Sequence, residues 1–323
     1  MGMKKYIYYL MRMILIALIL YFLIQNDRLN FDRLPLLWNQ PNILVLIVGS
    51  LSLLVLPLAA LRWCLLMRGI GIDIAYQRSL LLTWIGNFFN VTLPGAVAGD
   101  ILKGYYIMRL CREESTARIF TTLLIDRFVG LFGLIAMAFF ALLLNHEMIL
   151  HNLALQNMAV LISMLFLTTL TFYIIILFPF KDGSDPFKSF LQMLPGDKFT
   201  VDMYCNFRLY KCTPLILFST LCISVLIHSI YAYLFFQIAH LIGLWDIKLV
   251  TQFFIMPIGL ISAAIPLAPS GIGIGHAAFE SLYNIVGLSG GADVFNLFVV
   301  VQIFVGLLGG IPYLLHIQDY KLR

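Results

Sequence analysis

The chain has 323 residues, of which 61% are hydrophobic and only 11% charged, with 21 Lys and Arg against 16 Asp and Glu. Soluble domains carry about 25% charge and about 45–50% apolar residues, so this much apolar surface has no single water-soluble core to enter. Composition excludes a soluble enzyme, a nucleic-acid binder and a disordered adaptor, and it identifies an integral membrane protein. The apolar runs are long and continuous rather than short and alternating, which excludes a β-barrel and predicts an all-α polytopic fold.

The first apolar run, Ile7–Ile24, follows a short basic start and has no small-residue cleavage site near its end. It reads as a retained first span rather than a signal peptide. Five more spans follow at Ile43–Leu61, Thr121–Leu144, Gln156–Phe178, Pro214–His240 and Val294–His316. Each is near the ~20 residues a helix needs to cross a bilayer. The five cysteines form no CxxC pair and are expected to be free thiols.

Two further apolar stretches are interrupted, Leu80–Asp100 at Leu93-Pro94-Gly95 and Val250–Gly287 at Pro266-Leu-Ala-Pro269-Ser270-Gly271. Drawing each as a re-entrant hairpin, with the N-terminus in the cytoplasm, puts all basic residues except Arg28, Arg33 and Lys248 on the cytoplasmic side, 18 of 21. Drawing the first as a full span breaks this bias, so positive charge favours the hairpins. Both termini are then cytoplasmic, in the inner membrane. The resulting order is span, span, hairpin, span, twice over. One transmembrane domain, 1–323, is expected to hold two repeats, about 1–144 (hairpin 80–102) and about 156–316 (hairpin 250–287). The first starts inside and the second outside, so the expected fold is six transmembrane helices plus two re-entrant broken hairpins in an inverted-topology repeat. Paired, Gly/Pro-broken segments in two inverted halves point to a transport site near the midplane. Broken backbone at that depth must be buried in protein or line a wet cavity.

Three constellations carry polar chemistry into these segments. In the first, Asn87, Asn90 and Thr92 supply neutral donors and Gly95 lets the backbone turn. Lys103 is placed to attract a phosphate and Asp100 to balance Lys103 or Arg127. The plainer reading is a turn with a capping Asp and a snorkelling Lys. The second is Asp126-Arg127 at the start of the third span. Adjacent residues do not share a helix face, so two separate partners are expected rather than an internal pair. The planar fork of Arg127 suits a phosphate. The third is Ser270, Gly271, Gly273, His276 and Glu280, where a helix N-terminus starts beside the broken turn. His276 and Glu280 lie one turn apart, which allows structural pairing, substrate contact or proton coupling. Two ligands on one turn do not make a metal site, and the glycines lack the βαβ and Gly-Lys-Ser/Thr context of a nucleotide loop. No metal, cofactor or ATP motor is expected. His228 and His240 read as packed histidines.

The motifs Asn90-x-x-Leu93-Pro94-Gly95-x-x-x-Gly99-Asp100, Asp126-Arg127-x-x-Gly130-Leu131 and Pro269-Ser270-Gly271-Ile-Gly273-Ile-Gly275-His276 occur in this order. In them the chain resembles the lysylphosphatidylglycerol synthase transmembrane (flippase-like) domain family, which includes the N-terminal flippase domain of bacterial multiple peptide resistance factors. The resemblance covers essentially the whole chain. It departs where many members carry an acidic residue soon after the Gly-x-Gly of the second hairpin: here His276 stands there and Glu280 follows a turn later. The aminoacyl-transfer domain of such factors is not among these residues, so the resemblance does not imply synthesis of lysyl-lipid. It implies a flippase for a phosphate-bearing lipid, either a phospholipid or a polyprenyl-phosphate-linked sugar. Asn87, Asn90, Lys103 and Arg127 are the expected headgroup contacts. The alternatives are a membrane glycosyltransferase using Asp100 or Glu280, and a non-transporting partner of a glycan or lipid synthesis complex acting through loop 179–213. Gly306, Gly309 and Gly310 allow close helix packing within one chain or in a homo-oligomer.

Overall fold

The computed structural model describes residues 33–92, 98–111, 114–144, 149–150, 152–178, 185–191, 197–263 and 273–316. The regular elements among these residues are all helical. They are α1 (Leu34–Asn39), α2 (Pro41–Gly69), α3 (Tyr76–Thr92), α4 (Ala98–Leu110), α5 (Thr116–Leu144) and α6 (Leu153–Leu177). After these come α7 (Pro186–Leu191), α8 (Asp197–Leu209), a 3-10 turn (Tyr210–Cys212) and α9 (Pro214–Leu241). Then follow α10 (Leu249–Ala263), α11 (Ile274–Ile285), α12 (Gly291–Leu308) and α13 (Gly310–His316).

Five segments are long and apolar enough to cross a bilayer: α2, α5, α6, α9 and Gly291–Leu315. They coincide with five of the expected spans, and the sixth, Ile7–Ile24, lies outside the described residues. The molecule is a multi-pass α-helical membrane protein. Lipid-facing surface is plain on α6, where Val160, Leu161, Met164, Leu167 and Ile174 are exposed. Such a row would be an aggregation liability in water.

Two helix boundaries differ from expectation in ways that matter later. α2 continues past Leu61 to Gly69, so Arg62 lies within a helix rather than in a loop. α5 starts at Thr116, which puts Asp126 and Arg127 about 15 Å along it at 1.5 Å per residue, not at its start. Arg62, Lys103 and Arg127, which the charge count put on the cytoplasmic side, are among the basic residues that lie within helices. Ion pairing lets them stay there. α2 also contains a π-helical turn, Leu51–Val55, just before Pro57, whose missing N–H already interrupts the regular ladder.

Contacts at the helix ends fix how the elements stand. Thr213 Oγ1 donates to Gly69 O at 3.2 Å, and Tyr210 Oη donates to Leu66 O at 2.9 Å. Arg118 near the start of α5 donates to Ile70 O. The C-terminus of α2 and the N-termini of α5 and α9 thus share one end of the bundle, and α3 and α4 connect to that end. At the opposite end Gly290, just before α12, lies beside Ile242 and Leu244, just after α9. The pair α10 and α11 connects there. Across the molecule α3 packs on α12, α10 packs on α5, and α2 packs on α9. The leading helix of each short pair therefore lies against the last long helix of the other half.

Close approach is set by small residues. A Cβ on Gly99 would lie 2.0 Å from Gly86 O, so α3 and α4 touch backbone to backbone. Gly306 faces Val91 and Asn87, Gly309 faces Trp84 O, and Gly310 faces the ring of Phe88. These three glycines serve packing of α12 and α13 on α3 within the chain.

The segment between α6 and α9 folds back onto the bundle. Phe207 of α8 meets Phe128 and Phe172, and Arg208 donates to Ile175 O and Phe178 O and pairs with Asp185. Tyr204 donates to both oxygens of Asp185 at 3.1 and 2.9 Å. Desolvation first, and then this carboxylate, push the Tyr204 phenol up to about 12.

Candidate functional site

The α3–α4 pair positions the first cluster. Asn90 Oδ1 accepts from Gly99 N at 2.8 Å, which ties the start of α4 to α3. Asp100 follows in the first turn of α4, where the partial positive charge of the helix end favours a carboxylate. Its Oδ1 is 3.0 Å from Lys103 Nζ and its Oδ2 is 2.6 Å from Arg127 Nε. Asp100 therefore bridges both cations it was expected to balance singly. Lys103 is buried, with its stem against Gly86 and its ammonium 4.6 Å from the centre of the Trp63 ring. The Trp63 indole N–H donates to Thr122 Oγ1, which holds the ring in place. The side chain of Arg127 remains 40% exposed. With all three groups ionised the triad carries a net charge of +1, and its most accessible member is a guanidinium.

A second cluster lies on the other side of α5. Arg62 Nε donates to Asp126 Oδ1 at 2.7 Å and Nη2 to Oδ2 at 3.2 Å, a two-pronged pair. Arg62 Nη1 donates to Ser224 Oγ at 3.2 Å. His228 Nε2 lies 3.0 Å from Gly130 O. A carbonyl only accepts, so Nε2 carries the hydrogen and Nδ1 does not in the neutral ring. Gly130 leaves room for Arg62, since a Cβ there would lie 3.3 Å from Nη1. Side-chain exposure is 11% for Arg62 and 14% for Asp126. Asp126 and Arg127 thus take two separate partners, Arg62 and Asp100, as adjacent residues on a helix must.

The third cluster is differently employed. Gly273 has φ +91 and precedes α11, a backbone shape that suits glycine. His276 Nδ1 accepts from Gly273 N at 3.3 Å, and Nε2 lies 3.3 Å from Asn296 Oδ1. Glu280 accepts from Gly290 N at 3.4 Å and from Ala292 N at 2.9 Å. It caps α12. His276 and Glu280 hold different partners and do not bond each other.

Of the residues expected to form one site, Asp100, Lys103 and Arg127 are brought together. Asp126 joins a separate pair. Asn90 holds the helix pair, Asn87 faces Gly306, and Thr92 Oγ1 donates to its own helix at Phe88 O, 2.9 Å. Gly95, Ser270 and Gly271 lie outside the described residues. Arg62, Trp63 and Ser224 were not anticipated, and His228 had been read only as a packed residue. The signal for Arg62 was present: apolar residues resume at Trp63-Cys-Leu-Leu-Met67, so the run ends at Arg68-Gly69 rather than at Leu61. Among the described residues no group of three or more His, Cys, Asp or Glu is placed to hold a metal ion.

Comparison with known proteins agrees with a multi-pass membrane protein. The chain is 23% identical over 172 residues to a UPF0104 membrane protein of Pyrococcus horikoshii, covering 52% of this chain and 50% of the relative. The chain thus spans about half the length of the curated relative it matches. No solved structure gives a significant match. The family model described as the lysylphosphatidylglycerol synthase TM region matches residues 9–309. That match takes in every described helix through α12 and both basic clusters, and the chain belongs to the lysylphosphatidylglycerol synthase transmembrane-region family.

Proposed function

We propose that this chain is a lipid translocase that moves a phosphate-bearing lipid, either a phospholipid or a polyprenyl-phosphate-linked sugar, across the cytoplasmic membrane. The observation that carries the reading is the Asp100–Lys103–Arg127 triad. Asp100 keeps two cations inside an apolar bundle, and its second partner, Lys103, stays with it when Arg127 swings out. A phosphodiester monoanion arriving at Arg127 therefore meets a net positive site whose other two members are already largely shielded from water. Lys103 and Arg127 bind the phosphate, and Asp100 takes them back on release.

The setting supports transport rather than surface binding. The helices of the two short pairs, from 13 to 17 residues in α3 and α4 and from 12 to 15 in α10 and α11, are too short to cross the ~30 Å core even when upright. One pair connects to each end of the bundle, and each leans on the last long helix of the other half. That exchange is what an inverted repeat with two re-entrant hairpins requires, and rocking of the halves would then alternate access. The inner-membrane location and cytoplasmic termini are part of the same reading, from the basic-residue bias.

Transbilayer movement in liposomes tests it. Purified protein is offered fluorescent phosphatidylglycerol or a short polyprenyl-phosphate sugar, and wild type is compared with Lys103→Ala/Arg127→Ala. Each lost charged hydrogen bond weakens phosphate binding by about 1.5–3 kcal/mol, so the double variant is expected to slow movement at least tenfold. Undiminished movement by the folded variant defeats the site assignment. Movement of no lipid by folded wild type, with and without an imposed pH gradient, defeats the translocase reading.

A further inference from the structure

The Arg62–Asp126 pair differs from the triad in one respect: it carries no spare charge. Asp100 faces two cations, whereas Arg62 is the cation bonded to Asp126. Both side chains are largely shielded from solvent, about 10 Å from the end of α2 for Arg62 and about 15 Å from the start of α5 for Asp126. They lie where α2 and α5 of one half meet α9 of the other. Hydrogen-bonding capacity there is unspent. Arg62 has five N–H groups and three are engaged. The buried Nδ1 of His228 and hydroxyl of Tyr173 have no partner among the described residues.

A second anion cannot simply be added to such a place. Phosphate on Arg62 beside ionised Asp126 would leave two buried negative charges on one guanidinium. A carboxylate that loses its cation in apolar surroundings takes up a proton. We propose that Arg62–Asp126 is a proton-linked anion site: a lipid phosphate takes Arg62 only as Asp126 takes a proton from water, and leaves as that proton is released. The proton adds to one carboxylate oxygen, the two Arg62 hydrogen bonds transfer to phosphate oxygens, and net charge stays at zero. The triad captures the headgroup without a proton; the Arg62–Asp126 pair admits it with one. This deepens the translocase reading and rests on it.

The groups around the pair bear on the proton count. Arg62 from α2, Tyr173 from α6 and Tyr210 from the 3-10 turn face Asp126, and His228 and Tyr231 from α9 face Arg62. α10 contributes no ionisable side chain, and α8 turns Arg208 and Tyr204 toward Asp185. α4 contributes Asp100 and Lys103, on the Arg127 side of α5. His228 is the rival proton acceptor.

Calorimetry of the full-length protein in detergent decides the matter, with short-chain phosphatidylglycerol as the probe. Titrations at one pH in two buffers of different ionisation enthalpy count the protons taken up per lipid bound. The expected count is about one for wild type and near zero for Asp126→Asn, which binds with little pH dependence. Asp126→Glu is expected to restore uptake, and wild type alone gives the count should the variants not fold. Binding without proton uptake by wild type overturns the proposal while leaving the translocase reading intact. Loss of uptake in His228→Gln but not in Asp126→Asn overturns the assignment to Asp126. Absence of binding by folded wild type overturns both.

Discussion

Replacing Gly99 with alanine tests whether the α3–α4 contact holds the triad together. The new Cβ would lie 2.0 Å from Gly86 O and 2.7 Å from Asn90 Oδ1. Ordinary contact begins at 3.4 Å, so the two backbones must separate by about 1.4 Å. The obstructing atom is a carbonyl oxygen, which cannot rotate away as a side chain can. Overpacking of this kind costs about 1–3 kcal/mol, and loss of the Gly99–Asn90 hydrogen bond adds about 0.5–1.5 kcal/mol. The better helix propensity of alanine returns up to about 1 kcal/mol. The expected net is a destabilisation of about 0.5–4.5 kcal/mol, which lowers Tm. A displacement of 1.4 Å also suffices to break the 2.6 Å Asp100–Arg127 bond, so lipid movement is expected to fall more than stability does. The control is Gly49→Ala in α2, where nothing lies within 4 Å and alanine is expected to be neutral or stabilising. Thermal unfolding in micelles, followed by circular dichroism, and the liposome assay are run on both variants. If Gly99→Ala matches wild type in Tm and in transport, the backbone contact does not position Asp100 and the reasoning is wrong.

Other expectations come from the remaining clusters. Glu280→Ala removes the acceptor for two N–H groups at the start of α12 and is expected to cost about 0.5–2 kcal/mol. Glu280→Gln, which keeps an acceptor, should cost less by thermal unfolding, and the pH dependence of lipid movement should be unchanged in both. Arg62→Ala leaves Asp126 buried without its cation and is expected to cost about 3–5 kcal/mol. Arg62→Ala/Asp126→Ala should be less destabilised than the sum of its single variants, measured as a double-mutant cycle. Additive losses would mean that the pair contributes nothing as a pair.

Much of the site was visible in the sequence because charge in an apolar run is conspicuous. Asp100, Lys103 and Arg127 stood out singly, and the rule that neighbours on a helix face apart already separated Asp126 from Arg127. The roles of other residues were not visible. Asn90, Thr92 and Glu280 are polar residues in apolar segments, the usual mark of function in a membrane. Here they satisfy backbone groups that lipid cannot. Arg62 was missed for the opposite reason: an arginine at the apparent end of an apolar run looks like an interfacial residue until its carboxylate partner, 64 positions away, is seen.

The sequence by itself determined the solvent. Its 61% hydrophobic content, runs of about 20 residues and two Pro/Gly breaks required spanning helices and two interrupted segments, because these depend only on local transfer energies and backbone hydrogen bonding. Tertiary structure decided the pairing of charges. Asp100 with Lys103 and Arg127, and Asp126 with Arg62, are chosen by which helix faces meet, and that is settled by the glycines that let α3, α4, α5, α9 and α12 approach. A lone buried charge is unaffordable in this bundle, so packing and ion pairing had to be solved together.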